Sequence, residues 1–228
     1  MTKEIIIELD NVWKTYKMGT VEVHALRGMS LKVKKGEFLA IMGPSGSGKS
    51  TAMNMIGCLD IPTKGEIKLL GRDISTLHES DLAQIRGKKI GFIFQKFNLL
   101  NTLTAKENIM LPMTFQGIPR EEREKKSEEL LGLVELKDRM DHRPNELSGG
   151  QQQRVAIARS LSNSPDVILA DEPTGNLDST TGERVLDFLK KLHKEKGTTI
   201  VMVTHDKKIA EQAERIEFLK DGSIVKNL

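Results

Sequence analysis

Cysteine is almost absent from the sequence, which contains Cys58 and no other. A single cysteine cannot form a disulfide within the chain, which excludes the disulfide-stabilised scaffolds of small secreted proteins. We therefore expect the protein to work in a reducing compartment. Because Cys58 follows a predicted helix, we expect it to be a small buried residue.

Long apolar segments are absent as well. No apolar run approaches the roughly 18 residues that a membrane-spanning helix needs. No signal peptide is recognisable before the first predicted strand. Any role at a membrane is therefore expected to depend on a partner.

Charge of one sign is not in excess either. The 35 Lys and Arg residues against 32 Asp and Glu residues give a net charge of +3, and the two signs are interspersed. Lysine pairs, such as those that begin at Lys34, Lys125, Lys190 and Lys207, are scattered along the chain. We interpret them as solvated surface and not as a DNA-binding stripe, so no nucleic-acid partner is expected.

The order of strand and helix signals indicates an α/β fold. Alternating apolar and polar residues in 5–33 predict strands, with a hairpin turn at Lys34-Lys35-Gly36-Glu37. Phe38–Met42 is a continuous apolar run, typical of a central parallel strand. After residue 161 the pattern predicts a strand at 167–170, helices at about 179–195 and 206–213, a strand at 199–203 and a C-terminal hairpin.

The middle of the chain is predicted to be mainly helical, because helix signals dominate from Thr104 to Leu161. Helix starts are predicted at Thr104, Pro119 and Ser148. We therefore predict one domain over residues 1–228. Its mostly parallel sheet and an N-terminal antiparallel β part come from residues 1–95 and 164–228, and a helical subdomain is inserted at 96–163.

A phosphate-binding loop is the most specific single motif. Residues 43–50 fit the pattern G-x-x-x-x-G-K-[ST] between a predicted strand and a predicted helix. The glycines let successive N–H groups converge on phosphate oxygens, Lys49 supplies a positive charge, and Ser50 offers a hydroxyl to Mg²⁺. The residues predicted to bind the nucleotide here are Gly43, Pro44, Ser45, Gly46, Ser47, Gly48, Lys49, Ser50 and Thr51.

A second anion-binding element is predicted at Leu147-Ser148-Gly149-Gly150-Gln151. Ser148 is a suitable N-cap for the helix that follows, and the two glycines leave backbone N–H groups uncovered at its positive end. Further along, the buried strand 167–170 delivers Asp171 and Glu172 at its carboxyl end. Two carboxylates and two anion sites together indicate chemistry on a phosphate.

The motifs, taken together, resemble the nucleotide-binding subunit of an ABC transporter over essentially the whole chain. The phosphate loop alone does not separate kinases, GTPases and ATPases, although the guanine-recognition motif N-K-x-D is absent from the sequence. The matching elements stand in the family's order: phosphate loop 43–51, Gln95, signature 147–151, Val167–Glu172, Asn176-Leu177-Asp178 and His205.

This resemblance implies an ATPase that uses ATP and Mg²⁺. Asp171, Ser50 and Gln95 would hold the magnesium ion or its water shell. Glu172 would act as the general base, or polarise the attacking water, beside the γ-phosphate. His205, at the end of another strand, would hydrogen-bond the γ-phosphate and orient Glu172.

One aromatic residue resembles the family's adenine-stacking position. Tyr16 lies in a strand-to-loop segment before the phosphate loop, and stacking needs only a flat face. Trp13 is the alternative, and either residue could belong to the core instead.

The resemblance also implies a dimer. In this family the signature completes the site of a second copy, so residues 148–151 of one subunit would face the γ-phosphate held by Lys49 of the other. Two ATP molecules would then be sandwiched in a head-to-tail homodimer. Asp178 would lie near the dimer axis, and hydrolysis would let the dimer open.

A narrower resemblance is to the lipoprotein-releasing and macrolide-export branch, with the cell-division ABC ATPase a near relative. It rests on Gly57–Asp60 before Pro62-Thr63, and on Phe92–Gln95 followed by Phe97–Leu100 and Leu103–Ala105. Asn101 departs from it, because that branch often has proline there, in the loop that contacts the permease. The resemblance implies an integral membrane permease as partner, and a place on the cytoplasmic face of the cell membrane.

The alternative function is a soluble ABC ATPase that acts on nucleic acid or on the ribosome. Chromosome-maintenance ATPases place a long coiled coil between loop and signature, whereas residues 52–146 show no sustained heptads. Ribosome-acting factors usually carry the domain twice. A small-molecule kinase would leave residues 148–151 without a role.

Overall fold

The computed structural model describes residues 4–227. They form two compact units, one comprising the chain up to Arg86 together with the chain from Leu192, the other spanning Gly87–Lys191. None of the helices within residues 4–227 is long and apolar enough to cross a membrane.

An antiparallel sheet occupies the first unit. Strands β1 and β2 pair through a tight hairpin at Gly19 and Thr20, and the sheet order is β2-β1-β4-β5. Leu9, Val12 and Met29 are buried on its inner face, as the alternation of apolar residues predicts. The strands are β1 Ile5–Met18, β2 Val21–Lys34, β4 Lys64–Leu69 and β5 Arg72–Asp73.

The turn at Lys34–Glu37 is not the predicted hairpin. It leads from β2 in the antiparallel sheet to β3 (Phe38–Met42), which pairs with other strands. A turn signal is local, whereas the choice of pairing partner depends on residues far away in the chain. Glu37 stabilises this turn, because its carboxylate accepts the N–H of Lys34 at 2.7 Å.

Parallel strands form the second sheet region of the first unit. Strand β3 is buried and lies between β8 and β9, parallel to both, and β10 closes the edge as an antiparallel hairpin. Burial on both faces explains its continuous apolar sequence. The elements are β8 Thr199–Thr204, β9 Arg215–Lys220, β10 Ser223–Val225, and the helices α1 Lys49–Ile56 and α7 Lys207–Ala210.

The second unit combines one parallel strand pair with helices. Strand β6 (Ile90–Ile93) pairs in parallel with β7 (Val167–Asp171). The helix starts predicted at Thr104, Pro119 and Ser148 are each the N-cap of a helix. These helices are α3 Ala105–Phe115, α4 Arg120–Leu133 and α5 Gly149–Ser160, with short 3₁₀ turns at Lys137–Arg139 and Pro144–Glu146.

Two helices cross from one unit to the other. Helix α6 (Ser179–Lys196) was expected from the sequence, whereas α2 (Glu79–Lys89) was not. In α2 only Leu82 is buried, so the periodic apolar signal that reveals a helix is missing. The predicted fold class, an antiparallel β part with mostly parallel strands and helices, is confirmed.

Candidate functional site

The phosphate loop of the first unit joins the end of β3 to the start of α1. The N–H of Gly43 donates to the carbonyl of Thr204 at 3.4 Å, and the carbonyl of Ser47 accepts the N–H of Gly222 at 2.9 Å. These contacts hold the loop at the carboxyl ends of β3 and β8, where open α/β sheets bind their ligands.

Two glycines of this loop have no room for a side chain. A Cβ on Gly43 would lie 2.2 Å from the carbonyl oxygen of Leu219. Gly48 has φ +100°, and a Cβ there would lie 2.5 Å from the carbonyl oxygen of Ala25. The loop therefore requires glycine for close packing as well as for backbone freedom.

Lys49 is buried, and its ammonium group lies inside the phosphate loop. Its Nζ donates to the carbonyl oxygens of Gly43 at 2.8 Å and Pro44 at 2.9 Å. Helix α1 has no acidic residue in its first turn, so its positive end is not neutralised there. The hydroxyl of Ser47 is buried and has no hydrogen-bond partner among the described residues, which leaves a donor inside the loop for an anionic ligand.

His205 lies at the same edge as the phosphate loop. It directly follows Thr204, which is paired with Met42 at the end of β3, and its side chain is exposed. Thr204 Oγ1 accepts the N–H of Asp206 at 3.0 Å, and Asp206 caps α7. The first unit thus brings His205 and the phosphate loop to one edge.

The two aromatic candidates of β1 have different surroundings. Tyr16 is half-buried, and its hydroxyl donates to Asp60 at 3.0 Å. The indole N–H of Trp13 donates to Asn11 at 3.1 Å, and the residue is 37 % exposed. Both belong to the first unit, as does the phosphate loop.

In the second unit β7 delivers the two carboxylates. Asp171 is the last residue of the strand, and Glu172 follows with φ 44°. A left-handed backbone is unfavourable for a glutamate, and such strain is typical of functional positions. A turn stabilises it, because the N–H of Gly175 donates to the carbonyl of Glu172 at 3.0 Å.

Gln95 lies beside this turn. It follows β6, which pairs with β7, and its carbonyl accepts the side-chain amide of Asn176 at 2.8 Å. A Cβ on Gly175 would lie 2.8 Å from Gln95 Nε2. The second unit therefore brings Gln95 and the Glu172 turn together.

The signature forms a capped helix start. Gln151 N–H donates to Ser148 Oγ at 3.3 Å, and Ser148 N–H donates to Gln151 Oε1 at 2.8 Å. This reciprocal capping box uses the side chains of both residues at the tip. The helix begins at Gly149, so both glycines belong to its first turn.

Gly150 packs directly against α6. A Cβ there would lie 2.3 Å from Thr181 Cγ2, whereas a Cβ on Gly149 would make ordinary contact with Phe97 at 3.6 Å. A groove of about 530 Å³ borders this tip and is lined by Ser148, Gly150, Gln151, Arg154, Thr181 and Arg184, among others.

Asp178 caps helix α6. Its carboxylate accepts the N–H of Thr181 at 3.0 Å. Hydrogen bonds from the Thr181 side chain and then from its backbone lower the pKa of Asp178. The residue is exposed and stays ionised at neutral pH.

The sequence did not point to Gln153, which the structure buries completely on α5. Its side-chain amide donates to the carbonyl of Pro173 at 2.6 Å. A signal existed, because Gln153 shares the helical stripe of Ala156, Ile157 and Ser160, all of which are buried. A lone amide on a buried stripe needs a partner.

No group of three or more His, Cys, Asp or Glu side chains that could hold a metal occurs within residues 4–227. Magnesium keeps several waters and commonly binds through one or two carboxylates together with substrate phosphates. A hydroxyl such as that of Ser50 in the first unit and a carboxylate such as that of Asp171 in the second are both ligand types that magnesium accepts.

Comparison with known proteins agrees with this set of motifs. The chain matches the family described as ABC transporter over residues 26–175. An uncharacterised ABC transporter ATP-binding protein of Thermotoga maritima is 54 % identical over 219 residues, which cover 96 % of this chain and 93 % of that protein.

Two further relatives are informative about transport and about structure. The macrolide export ATP-binding/permease protein MacB of Brucella melitensis is 49 % identical over 96 % of this chain, which covers 34 % of that longer protein. MJ0796 of Methanocaldococcus jannaschii is 54 % identical over 96 % of this chain and 95 % of that protein.

A solved structure of MJ0796 superimposes with a TM-score of 0.90 at 52 % identity, covering 97 % of each chain. It is described as a dimer in a post-hydrolysis state, bound to ADP and Pi. This chain therefore belongs to the ABC transporter family and is an ATP-binding cassette with the family's ATPase fold.

Proposed function

We propose that the protein is the ATP-binding and hydrolysing subunit of a transporter, and that two copies close head-to-tail around two Mg-ATP. The observation that carries this proposal is the likeness to MJ0796, whose structure is a dimer with hydrolysis products bound. The phosphate loop and the capped signature of this chain supply the two kinds of anion site that such a dimer needs.

The residues of the phosphate loop and of the strand ends would have separate roles in ATP binding and hydrolysis. Residues 43–51 bind the phosphates, and Lys49 Nζ turns from the loop carbonyls to the β- and γ-phosphates. Glu172 positions and deprotonates the attacking water. His205 hydrogen-bonds the γ-phosphate, and Tyr16 stacks on adenine.

Magnesium would be held by Ser50 and Asp171, the latter through water, with Gln95 completing the shell. The ion supplies charge neutralisation at the β- and γ-phosphate oxygens. The hydrogen bond of Asn176 to the Gln95 carbonyl and the turn at Glu172 support this assignment. Gln95 would also report the nucleotide state to the helical part of the chain.

The signature would act in trans. Ser148, Gly149, Gly150 and Gln151 at the tip of α5 would cap the γ-phosphate that the partner's phosphate loop holds. The Ser148–Gln151 capping box supports this, because it fixes the tip before any nucleotide arrives. Asp178 would lie near the dimer axis.

We further propose residues 96–163 as a helical subdomain that transmits the closing motion. Helices α3, α4 and α5 lie within this range, and they share a buried cluster. Its members include Ala105, Ile109, Leu131, Val134 and Val155.

The partner would be an integral membrane permease, which places the protein at the cytoplasmic face of the membrane. The MacB relative supports this, because its name joins an ATP-binding part to a permease. Export, or force transmission of the lipoprotein or macrolide type, is the transport mode that we propose. Such a permease would convert closing and opening of the dimer into work.

The test uses Glu172→Gln, which should bind ATP without hydrolysing it. Gel filtration with light scattering should give about twice the monomer mass of 25.5 kDa when ATP and Mg²⁺ are present. Glu172→Gln combined with Lys49→Ala should stay monomeric. Glu183→Gln, an exposed change on α6, should behave like the unmodified protein. Monomeric Glu172→Gln at high protein concentration would refute the sandwich.

A further inference from the structure

Asp60 connects the side chains of Tyr16 and Lys14 in the first unit. One carboxylate oxygen accepts the hydroxyl of Tyr16 at 3.0 Å, and the other accepts Lys14 Nζ at 2.5 Å. The tyrosine hydroxyl therefore cannot move away from Asp60 without breaking a hydrogen bond to a charged group, which is stronger than a neutral one.

Lys14 occupies one face of the same ring. Its Nζ lies 5.0 Å from the Tyr16 ring centroid, within the range of a cation–π contact. The side chain of Lys14 is 12 % exposed, and Nζ also donates to the carbonyl of Ile61 at 2.8 Å. With one face covered by a fixed cation, the opposite face is the one on which a base can stack.

Asp60 also belongs to the segment that ends the phosphate-binding helix. Helix α1 begins at Lys49 and ends at Ile56, and the N–H of Leu59 returns to the carbonyl of Asn54 at 2.9 Å. Asp60 follows directly, and its Oδ1 accepts the N–H of Ile61 at 2.8 Å. The carboxylate thus lies four residues beyond the end of the helix that begins at the phosphate loop.

The side chain of Thr51, in the first turn of α1, lies close enough to the Tyr16 hydroxyl to lower its pKa. The hydrogen bond to Asp60 therefore links Tyr16 to the segment that follows α1.

We propose that Asp60, together with Lys14, is a positioning residue for the nucleobase: it fixes the Tyr16 ring at the distance from the phosphate loop that adenosine triphosphate spans. The proposal rests on the proposed function, in which Tyr16 stacks on adenine. It adds two residues to which the family motifs assign no role.

The ionisation of both partners agrees with this geometry. Burial raises the pKa of Tyr16, and its hydrogen bond to Asp60 raises that pKa further, whereas Thr51 lowers it. Burial alone would raise the pKa of Asp60, but the hydrogen bonds from Lys14, the Ile61 N–H and Tyr16 outweigh it and lower that pKa.

The first test exploits the composition, because Tyr16 is the single tyrosine of the chain. Its ionisation can therefore be followed by tyrosinate absorbance without interference from other tyrosines, with circular dichroism recorded in parallel to detect unfolding. Asp60→Asn should lower the pKa of Tyr16. Glu66→Gln, which removes a surface carboxylate paired with Lys68, should leave it unchanged. An unchanged Tyr16 pKa in Asp60→Asn would overturn the anchoring.

The second test separates base from phosphate binding. Asp60→Asn should raise KM for ATP about three- to tenfold and leave kcat within about twofold. Its affinity for inorganic tripolyphosphate, which has no base, should not change, and Asp60→Glu should restore part of the ATP affinity. Equal weakening of both ligands would overturn the proposal, because it would indicate a general structural role.

Tyr16→Ala distinguishes failure of this inference from failure of the proposed function. If Tyr16→Ala binds ATP normally, stacking on Tyr16 is wrong, and the inference falls with it. If Tyr16→Ala weakens ATP binding while Asp60→Asn does not, stacking stands and the positioning role of Asp60 is wrong.

Discussion

The side-chain amide of Gln153 donates a hydrogen bond of 2.6 Å to the carbonyl oxygen of Pro173. Gln153 lies on α5, the helix whose tip is the signature, and Pro173 directly follows Glu172. The bond therefore ties the strained turn at Glu172 to the signature helix within one subunit. If the proposed function holds, a displacement of the signature by a partner's nucleotide would be transmitted to Glu172, the proposed general base.

Gln153→Met tests this connection, because it keeps the approximate volume and removes the donor. The buried carbonyl of Pro173 would lose its partner, which should cost about 1–3 kcal/mol of unfolding free energy. Misplacement of Glu172 should lower kcat roughly tenfold or more. KM for ATP should change little, since the phosphate loop is untouched. Denaturant unfolding and steady-state kinetics measure the two effects.

Asn108→Leu is the matched control for lost stability. Asn108 is another fully buried amide of the second unit, and it bonds to Leu100 N–H at 2.8 Å and to the carbonyl of Thr104 at 2.9 Å. Its loss removes more hydrogen bonds than Gln153→Met does, so it should lower stability at least as much but leave kcat of the folded protein within about twofold. If Gln153→Met keeps a normal kcat, the tie to Glu172 has no catalytic role.

A second prediction concerns the two signature glycines. Gly150→Ala should destabilise the protein by about 1–3 kcal/mol, because its methyl group would press on Thr181 Cγ2. Gly149→Ala should cost less, since its Cβ meets Phe97 at an ordinary distance of 3.6 Å. Thermal unfolding of both variants measures the difference.

Thr181→Ser provides the rescue for this prediction. It removes the methyl group that a Cβ at residue 150 would contact at 2.3 Å. Gly150→Ala with Thr181→Ser should recover most of the lost stability, as a double-mutant cycle. Additive losses would show that the clash lies elsewhere.

The third prediction concerns Cys58, whose side chain is 0 % exposed. Burial raises its pKa from 9.0 to about 11, so the reactive thiolate is scarce at pH 8. A thiol reagent should label the native protein on the order of a thousandfold more slowly than the denatured chain. Fast labelling of the native state would contradict the burial.

The raised pKa of Cys58 also makes the stability of the folded protein depend on pH. Because the folded state raises the pKa of Cys58, its contribution is present below the unfolded value of 9.0 and is lost as pH rises through about 11. The unmodified protein should therefore lose stability relative to Cys58→Ser above pH 9. Urea unfolding at pH 8 and at pH 10 tests this.

Sequence reasoning succeeded where the signal is local. Thr104 and Ser148 were predicted as helix starts, and each forms a capping box with the residue three positions later. The continuous apolar run of Phe38–Met42 gave the central strand correctly for the same kind of reason. Propensity and capping act within one turn, so the sequence contains the whole cause.

The sequence failed where the cause is distant. The residues of the Lys34–Glu37 turn predict a hairpin, whereas β3 pairs with β8 and β9. The hydrogen bonds of Gln153 and Asp60 cannot be predicted from the sequence, because their partners, Pro173 and Tyr16, lie 20 and 44 residues away. The left-handed backbone of Glu172 could not be foreseen either, since glutamate rarely adopts it.

The central claim is that the signature of one copy caps the nucleotide bound by another. Two variants, each also carrying Glu172→Gln, test whether the nucleotide site is completed by the partner subunit or by the same subunit. Lys49→Ala abolishes a subunit's own nucleotide binding, and Ser148→Arg blocks its own signature. Each alone should be monomeric with ATP and Mg²⁺. Their mixture contains one intact composite site, formed by the loop of the second variant and the signature of the first.

The most direct measurement is the mass of that mixture by analytical ultracentrifugation, with the two variants carrying different tags. We expect a heterodimer that appears only when both variants and Mg-ATP are present. A mixture that remains monomeric, while Glu172→Gln alone dimerises, would contradict completion of the site in trans.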